Sequence, residues 1–170
     1  YERRFDLARG ARQRAAIAVE AGTMHLERLQ RPDQARQWFE RARELADDDL
    51  AVHHALAELE RMEGRSGPLR EALDRVIALG GDGTPVSVLV EAADLHAESG
   101  QPEQALRYLK RANERKPDDP LILEALSDAL GNAGRGAELA DVLERRAALA
   151  TDDADARADA LLELSRIHEE

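Results

Sequence analysis

Two adjacent imidazoles, His53 and His54, stand with Glu58 one helical turn beyond His54 in the segment HHALAELE. A histidine and a carboxylate four residues apart on a helix share a face and could offer two ligands to a transition metal. Such a metal needs three or four ligands at close spacing, and no third lies near these two. The remaining imidazoles, His25, His96 and His168, are spread along the chain. Two glycine-rich stretches, GGDGTP at 80–85 and GNAGRGAE at 131–138, could suggest a phosphate loop. Neither follows a predicted strand, and neither carries the glycine-rich lysine motif. No serine has a supporting histidine and aspartate. The chain has no cysteine, which removes thiol and disulfide chemistry. The residue pattern therefore predicts no enzyme, no metal and no cofactor.

The elements that would position these residues are helical. Of the 170 residues, 35% are charged and only 3% aromatic, and Ala, Leu and Arg abound. That mixture suits helices packed through small residues and disfavours a β fold. A formal charge of −11 disfavours nucleic acid as a partner. No apolar run approaches the length that spans a membrane, and no signal peptide opens the chain. A soluble protein is expected, cytoplasmic in preference to periplasmic, although the absence of cysteine does not itself choose the compartment. The opening YERRFDLA reads as the end of a helix and the closing LLELSRIHEE as the beginning of one, so an excerpt of a longer protein is expected.

One seam recurs. In GQPEQALRYLKRANERKPDDP, Ala105, Leu109 and Ala112 are spaced by four and three, which places them on one helical stripe. The same stripe returns as Ala35, Phe39 and Ala42 and as Leu69, Leu73 and Val76. A fourth copy, Leu139, Leu143 and Arg146, is broken by its arginine, for which Ala147 can substitute. The copies begin about 34, 36 and 34 residues apart, a period that marks a stacked helical array. A second helix precedes each copy and carries a small residue at its centre: Gly22, Ala57, Ala93, Ser127 and, before the chain ends, Ser165. Gly and Pro mark the turns between helices. Trp38 and Phe39 are adjacent and diverge by about 100°, so one ring faces outward or toward a neighbouring helix.

Helix pairs of this length, with a small residue in the first helix and an Ala–aromatic/Leu–Ala seam in the second, resemble tetratricopeptide repeats. The resemblance covers essentially the whole chain and is strongest around Leu89, Ala93, Gly100, Ala105, Leu109, Ala112 and Pro117. Asp47 replaces the usual proline, and His25, His96 and His168 occupy the place of a family tyrosine. The resemblance implies an all-α fold, a right-handed α-α superhelix of stacked antiparallel pairs. The expected units are a partial second helix at 1–10, repeats at 12–49, 50–82, 84–118 and 119–151, and a partial first helix at 154–170. A generic array of helical hairpins is the alternative architecture.

In that family the first helices line a concave groove. Here the corresponding face carries Glu20 and Glu27, then His54, Glu58 and Arg61, then Val90, Glu91, Asp94 and Glu98, then Glu124 and Asp128, then Glu163 and Arg166. Glu169 and Glu170 end the same face. Carboxylates dominate it, while the second helices carry a near-balanced mixture. The Lys, Arg and Asn of family members that clamp a C-terminal carboxylate are missing. The expected function is a non-catalytic scaffold that binds a protein or peptide partner bearing basic residues. The alternatives are a structural element that assembles end to end through its uncovered seams, and a regulatory arm of a larger protein. Plain solvation of an exposed helical face would produce similar charges.

Overall fold

The computed structural model describes the backbone of residues 1–150 and 154–169, and the side chains of these except 156, 168 and 169. The turn expected at 151–153, the imidazole of His168, and Glu169 and Glu170 of the expected inner face lie outside the described residues. Every regular element among the described residues is helical. They run α1 (Glu2–Leu7), α2 (Ala11–Glu27), α3 (Pro32–Leu45), α4 (Leu50–Met62), α5 (Ser66–Gly80), a 3-10 turn (Gly81–Gly83), α6 (Val86–Glu98), α7 (Pro102–Arg115), α8 (Pro120–Asn132), α9 (Gly136–Leu149) and α10 (Ala154–Glu169). The chain divides into two compact units, Tyr1–Thr84 and Pro85–Glu170.

Helix boundaries follow local chemistry. Asp49 and Asp119 each accept a hydrogen bond from the backbone N–H two residues on, at 2.9 Å from Ala51 and 3.1 Å from Leu121, and so cap α4 and α8. Pro32, Pro102 and Pro120 open their helices, where a missing N–H costs nothing. Gly100, at φ 74°, makes the left-handed turn between α6 and α7. At the matching place before α3 the chain uses Gln30, at φ 50°.

In the first unit α2 pairs with α3 and α4 with α5, and α4 also packs on both α2 and α3. In the second unit α6 pairs with α7 and α8 with α9, α7 packs on α8, and α10 on α9. Each unit is thus a stack of antiparallel helix pairs. The seams are the cores of these pairs. Ala35, Phe39 and Ala42, then Leu69, Leu73 and Val76, then Ala105, Leu109 and Ala112 are all buried. In the fourth copy Leu139, Leu143 and Ala147 are buried, while Arg146 is half-buried and donates to Ser127 Oγ at 3.3 Å. That hydroxyl in turn donates to the Leu123 carbonyl at 2.7 Å. The arginine therefore lies beside the seam with its head on a polar partner, and alanine fills the apolar place.

Gly22, Ala57, Ala93 and Ser127 are buried at the close approaches of the helices. Ser165, in α10, is exposed. The α10 helix packs through Ala160, Leu164 and Ile167, and Ser165 is not on that face. Both rings of the Trp38–Phe39 pair are buried. Phe39 fills the α2–α3 contact. Trp38 meets Phe5 of α1 edge-on at 5.8 Å, and the Arg41 guanidinium lies 4.1 Å from the Phe5 ring and 4.7 Å from the Trp38 ring. Glu2 holds the other side of that guanidinium at 3.1 Å, which docks α1 on α3 by cation–π and ionic contact together.

Candidate functional site

Two of the histidines, His53 and His96, are held by hydrogen bonds within the packing. His53 is buried, with Nε2 2.8 Å from the Asp47 carbonyl oxygen. His96 is buried, with Nδ1 2.6 Å from Gln101 Oε1 and its ring edge-on to Tyr108 at 5.6 Å. The equivalent partner of His25 would be Arg31, which cannot accept a hydrogen bond, and His25 Nδ1 is buried without a partner. His54 is exposed on α4. No cluster of three or more His, Asp or Glu able to hold a metal occurs among the described residues. Asp47, which replaces the family proline, also binds Arg75 at 2.6 Å, and Asp118 repeats that bond with Arg145 at 2.7 Å.

The expected inner-face residues fall into two groups, one in each unit. In the first unit the charges are largely met within the chain. Glu20 pairs with Arg4 of α1 at 2.9 Å, and Glu58 pairs with Arg61 at 2.5 Å on α4 itself. Glu20 and Glu27 border a shallow cleft of about 500 Å³ with Val19, Thr23 and Met24. His54 and Arg61 are exposed and line no described cleft with them.

The second unit is different. Between α6 and α8 lies a cleft of about 350 Å³, with Asp94, Glu98 and Asp128 on its rim, Ala93, Ala97, Ala125 and Ala129 as its walls and Leu109 of α7 as its floor. Small residues keep the walls low, and the seam residue Leu109 closes the bottom, so the cleft is a by-product of the same packing rule that forms the core. Among the described residues no cation pairs with Asp94, Glu98 or Asp128. Val90 and Glu91, half-buried on α6, and Glu124, exposed on α8, lie outside that lining. Glu163 and Arg166 sit on α10, the first half-buried and the second exposed.

Burial raises the pKa of Asp94 above the usual carboxylate value, and the charges of Glu98 and Glu91 raise it further. An acid whose folded pKa is raised favours folding below its unfolded pKa and loses that contribution as pH rises through the folded value. At pH 7 the ionised Asp94 therefore weighs against the fold. Asp94→Asn is expected to be more stable than the native chain at pH 7 and equal to it near pH 3. The gain should not exceed about 0.5 kcal/mol, because solvent screens this exposed group. Urea midpoints at the two pH values measure it, and a gain that persists at pH 3 would assign the effect to something other than charge.

A second cleft, of about 710 Å³, opens between α3 and α5 in the first unit, and no inner-face residue lines it. At its base Glu60 is buried and bonded to Arg36, which also bonds Glu63. Arg65 Nη1 lies 3.4 Å from Glu60. The hydrogen bond to Glu60 is the largest of the effects that raise the Arg36 pKa above its ordinary value. This network is absent from the sequence reading. The signal that could have found it is the change, 70 residues on, from Arg36 and Glu60 to Leu106 and Leu130.

Residues 86–129, which span α6, α7 and most of α8, match the family model of the tetratricopeptide repeat. Over these residues the chain is similar to a tetratricopeptide repeat. The helix pairs on either side repeat its architecture. The tetratricopeptide protein YrrB, described as having an unusual peptide-binding site, superposes with a TM-score of 0.66 at 17% identity, over 91% of this chain and 76% of that one. MamA superposes at 0.64 with 12% identity over 91% and 90%. A putative kinesin light chain of Podosopora anserina with TPR-like repeats gives 0.55 at 18% identity over 92% and 86%. At these identities the likeness establishes the fold alone. No curated protein matches the chain. No described helix is long and apolar enough to cross a membrane.

Proposed function

We propose that the chain is a non-catalytic interaction module whose α6–α8 cleft receives an extended segment of a protein partner bearing Lys or Arg. The observation that carries this reading is the rim of Asp94, Glu98 and Asp128, which pairs with no cation among the described residues and stands over an alanine-walled cleft. The inner-face carboxylates Glu20 and Glu58 of the first unit are, by contrast, paired within the chain. A guanidinium or ammonium on the partner would complete the second set. The apolar walls and the Leu109 floor would take a small or slender side chain between the charges. The description of YrrB as peptide-binding supports the same class of role.

Each exposed ion pair would add about 0.2–1 kcal/mol, so charge should govern association rate and selectivity more than total affinity. The test uses a fluorescent decapeptide alternating lysine and alanine, and its glutamate–alanine counterpart. The native chain is expected to bind the lysine peptide, to prefer it over the glutamate peptide, and to lose binding as salt is raised. Asp94→Lys with Asp128→Lys should abolish that preference, whereas Glu40→Lys with Glu44→Lys on α3 should leave it. Equal binding by all three chains would overturn the acidic-cleft reading. Equal binding with concentration-dependent self-association would favour end-to-end assembly through the exposed Leu149, Leu161 and Leu162 instead.

A further inference from the structure

The two units are close copies. The helices α3 and α7 both have 14 residues, α4 and α8 both have 13, and each of α3 and α7 opens on a proline. Asp49 and Asp119 cap the same point, and Gly64 and Gly134 share a φ of 66° after the next helix. From α3 onward, a residue of the first unit corresponds to the one 70 positions later in the second. Such copies carry a hazard: the surface of α3 that receives α4 resembles the surface of α7 that receives α8, so either hairpin has two candidate seats, in its own chain or in another copy.

Where α3 meets α4 and α7 meets α8, the copies differ in kind. Arg36, fifth in α3, corresponds to Leu106, fifth in α7. Glu60, eleventh in α4, corresponds to Leu130, eleventh in α8. In the first unit Arg36 and Glu60 form a bidentate pair, the second bond at 3.3 Å, with side-chain exposures of 25% and 4%. In the second unit Leu106 and Leu130 are both buried in one apolar cluster. The seam residues Ala35, Phe39 and Ala42, and their counterparts Ala105, Leu109 and Ala112, are apolar in both copies, and Glu63, the second partner of Arg36, corresponds to the uncharged Ala133.

We propose that the Arg36–Glu60 pair is a pairing code that keeps the two hairpin contacts from exchanging. Seated on α7, the α4–α5 hairpin would bury Glu60 against Leu106. Seated on α3, the α8–α9 hairpin would bury Leu130 against Arg36. The first exchange strands the buried Glu60 carboxylate on an aliphatic wall and the second leaves the half-buried Arg36 without that carboxylate, whereas each native pairing is satisfied. A polar pair that selects one register among similar apolar contacts is the best-attested use of buried charge. The code works on the α3–α4 and α7–α8 contacts and is independent of what the α6–α8 cleft binds.

The experiment makes the two contacts alike in full-length chain, in two opposite ways. One variant carries Arg36→Leu and Glu60→Leu, so that both contacts are leucine pairs. The other carries Leu106→Arg and Leu130→Glu, so that both are charged. Each is unfolded in urea and refolded over a hundredfold range of concentration, and the products are resolved by native mass spectrometry. The leucine variant should keep its helix content and yield at least threefold more dimer and larger species than the native chain. The quadruple variant, which moves the charged pair to the second unit, should return to the native yield. A leucine variant that refolds with the native product distribution would overturn the proposal. So would one that fails to fold, since the pair would then be needed for stability. In the charged variant a raised share of mispaired species supports the code, and folded chain with the native distribution counts against it.

Discussion

Arg36→Leu is expected to lower folding stability by about 3 kcal/mol, while Arg36→Leu combined with Glu60→Leu is expected to remain within about 1 kcal/mol of the native chain or above it. Removing only the arginine leaves a buried carboxylate. Glu60 is 4% exposed, and its remaining cation, Arg65, sits 3.4 Å away on a side chain that is 47% exposed. That residual contact places the cost at the lower end for a broken buried pair. Removing only the glutamate is a different case. Arg36 keeps its bond to Glu63 and part of its water, so Glu60→Leu should cost about 1 kcal/mol. Two leucines at these places already pack in the second unit as Leu106 and Leu130. Urea unfolding of the three variants at pH 7 measures the cycle. Equal costs for the two single changes, or costs that add in the double, would refute this description of the network.

Gly22→Ala is expected to destabilise by about 1–2 kcal/mol, although alanine favours a helix over glycine by about 1 kcal/mol. A Cβ at Gly22 would stand 2.9 Å from Phe39 Cζ and closer still to the rest of that ring edge. Phe39 is buried among its neighbours and cannot swing clear. The second unit shows the compensating arrangement, because there the central residue is Ala93 and the seam residue is Leu109. Phe39→Leu should therefore relieve the alanine. The double variant is expected to be at least about 1 kcal/mol more stable than the sum of its single changes predicts. Additive costs would mean that Gly22 and Phe39 do not share one volume.

The same pairs show what could be read without coordinates. The seam Ala105, Leu109 and Ala112 and the central small residues were legible because burial repeats with the period of a helix. The loss of the seam at Arg146 was legible too, together with its replacement by Ala147. Ser165, the small residue of α10, is exposed because α10 meets α9 through Ala160, Leu164 and Ile167. The acidic inner face was legible as a list of carboxylates. Their pairing was not, since Arg4 reaches Glu20 from a different helix across 16 residues of sequence. The Arg36–Glu60 pair escaped for a related reason. On a helical wheel both are polar residues at the edge of an apolar stripe, and only the stacking of α3 on α4 turns that edge inward.

The docking of α1 on α3 has an optical consequence. Trp38 is the only tryptophan in the chain, it is nearly buried, and its surroundings include the Phe5 ring and the Arg41 guanidinium. The intrinsic fluorescence of this protein is thus a signal from one contact rather than an average over the molecule. Emission wavelength follows the wetting of that indole as α1 leaves α3, and added quencher reports how often it does so. Helicity measured in the far ultraviolet follows the whole array. Where the two transitions part company during unfolding, their separation measures how loosely the first six-residue helix is held.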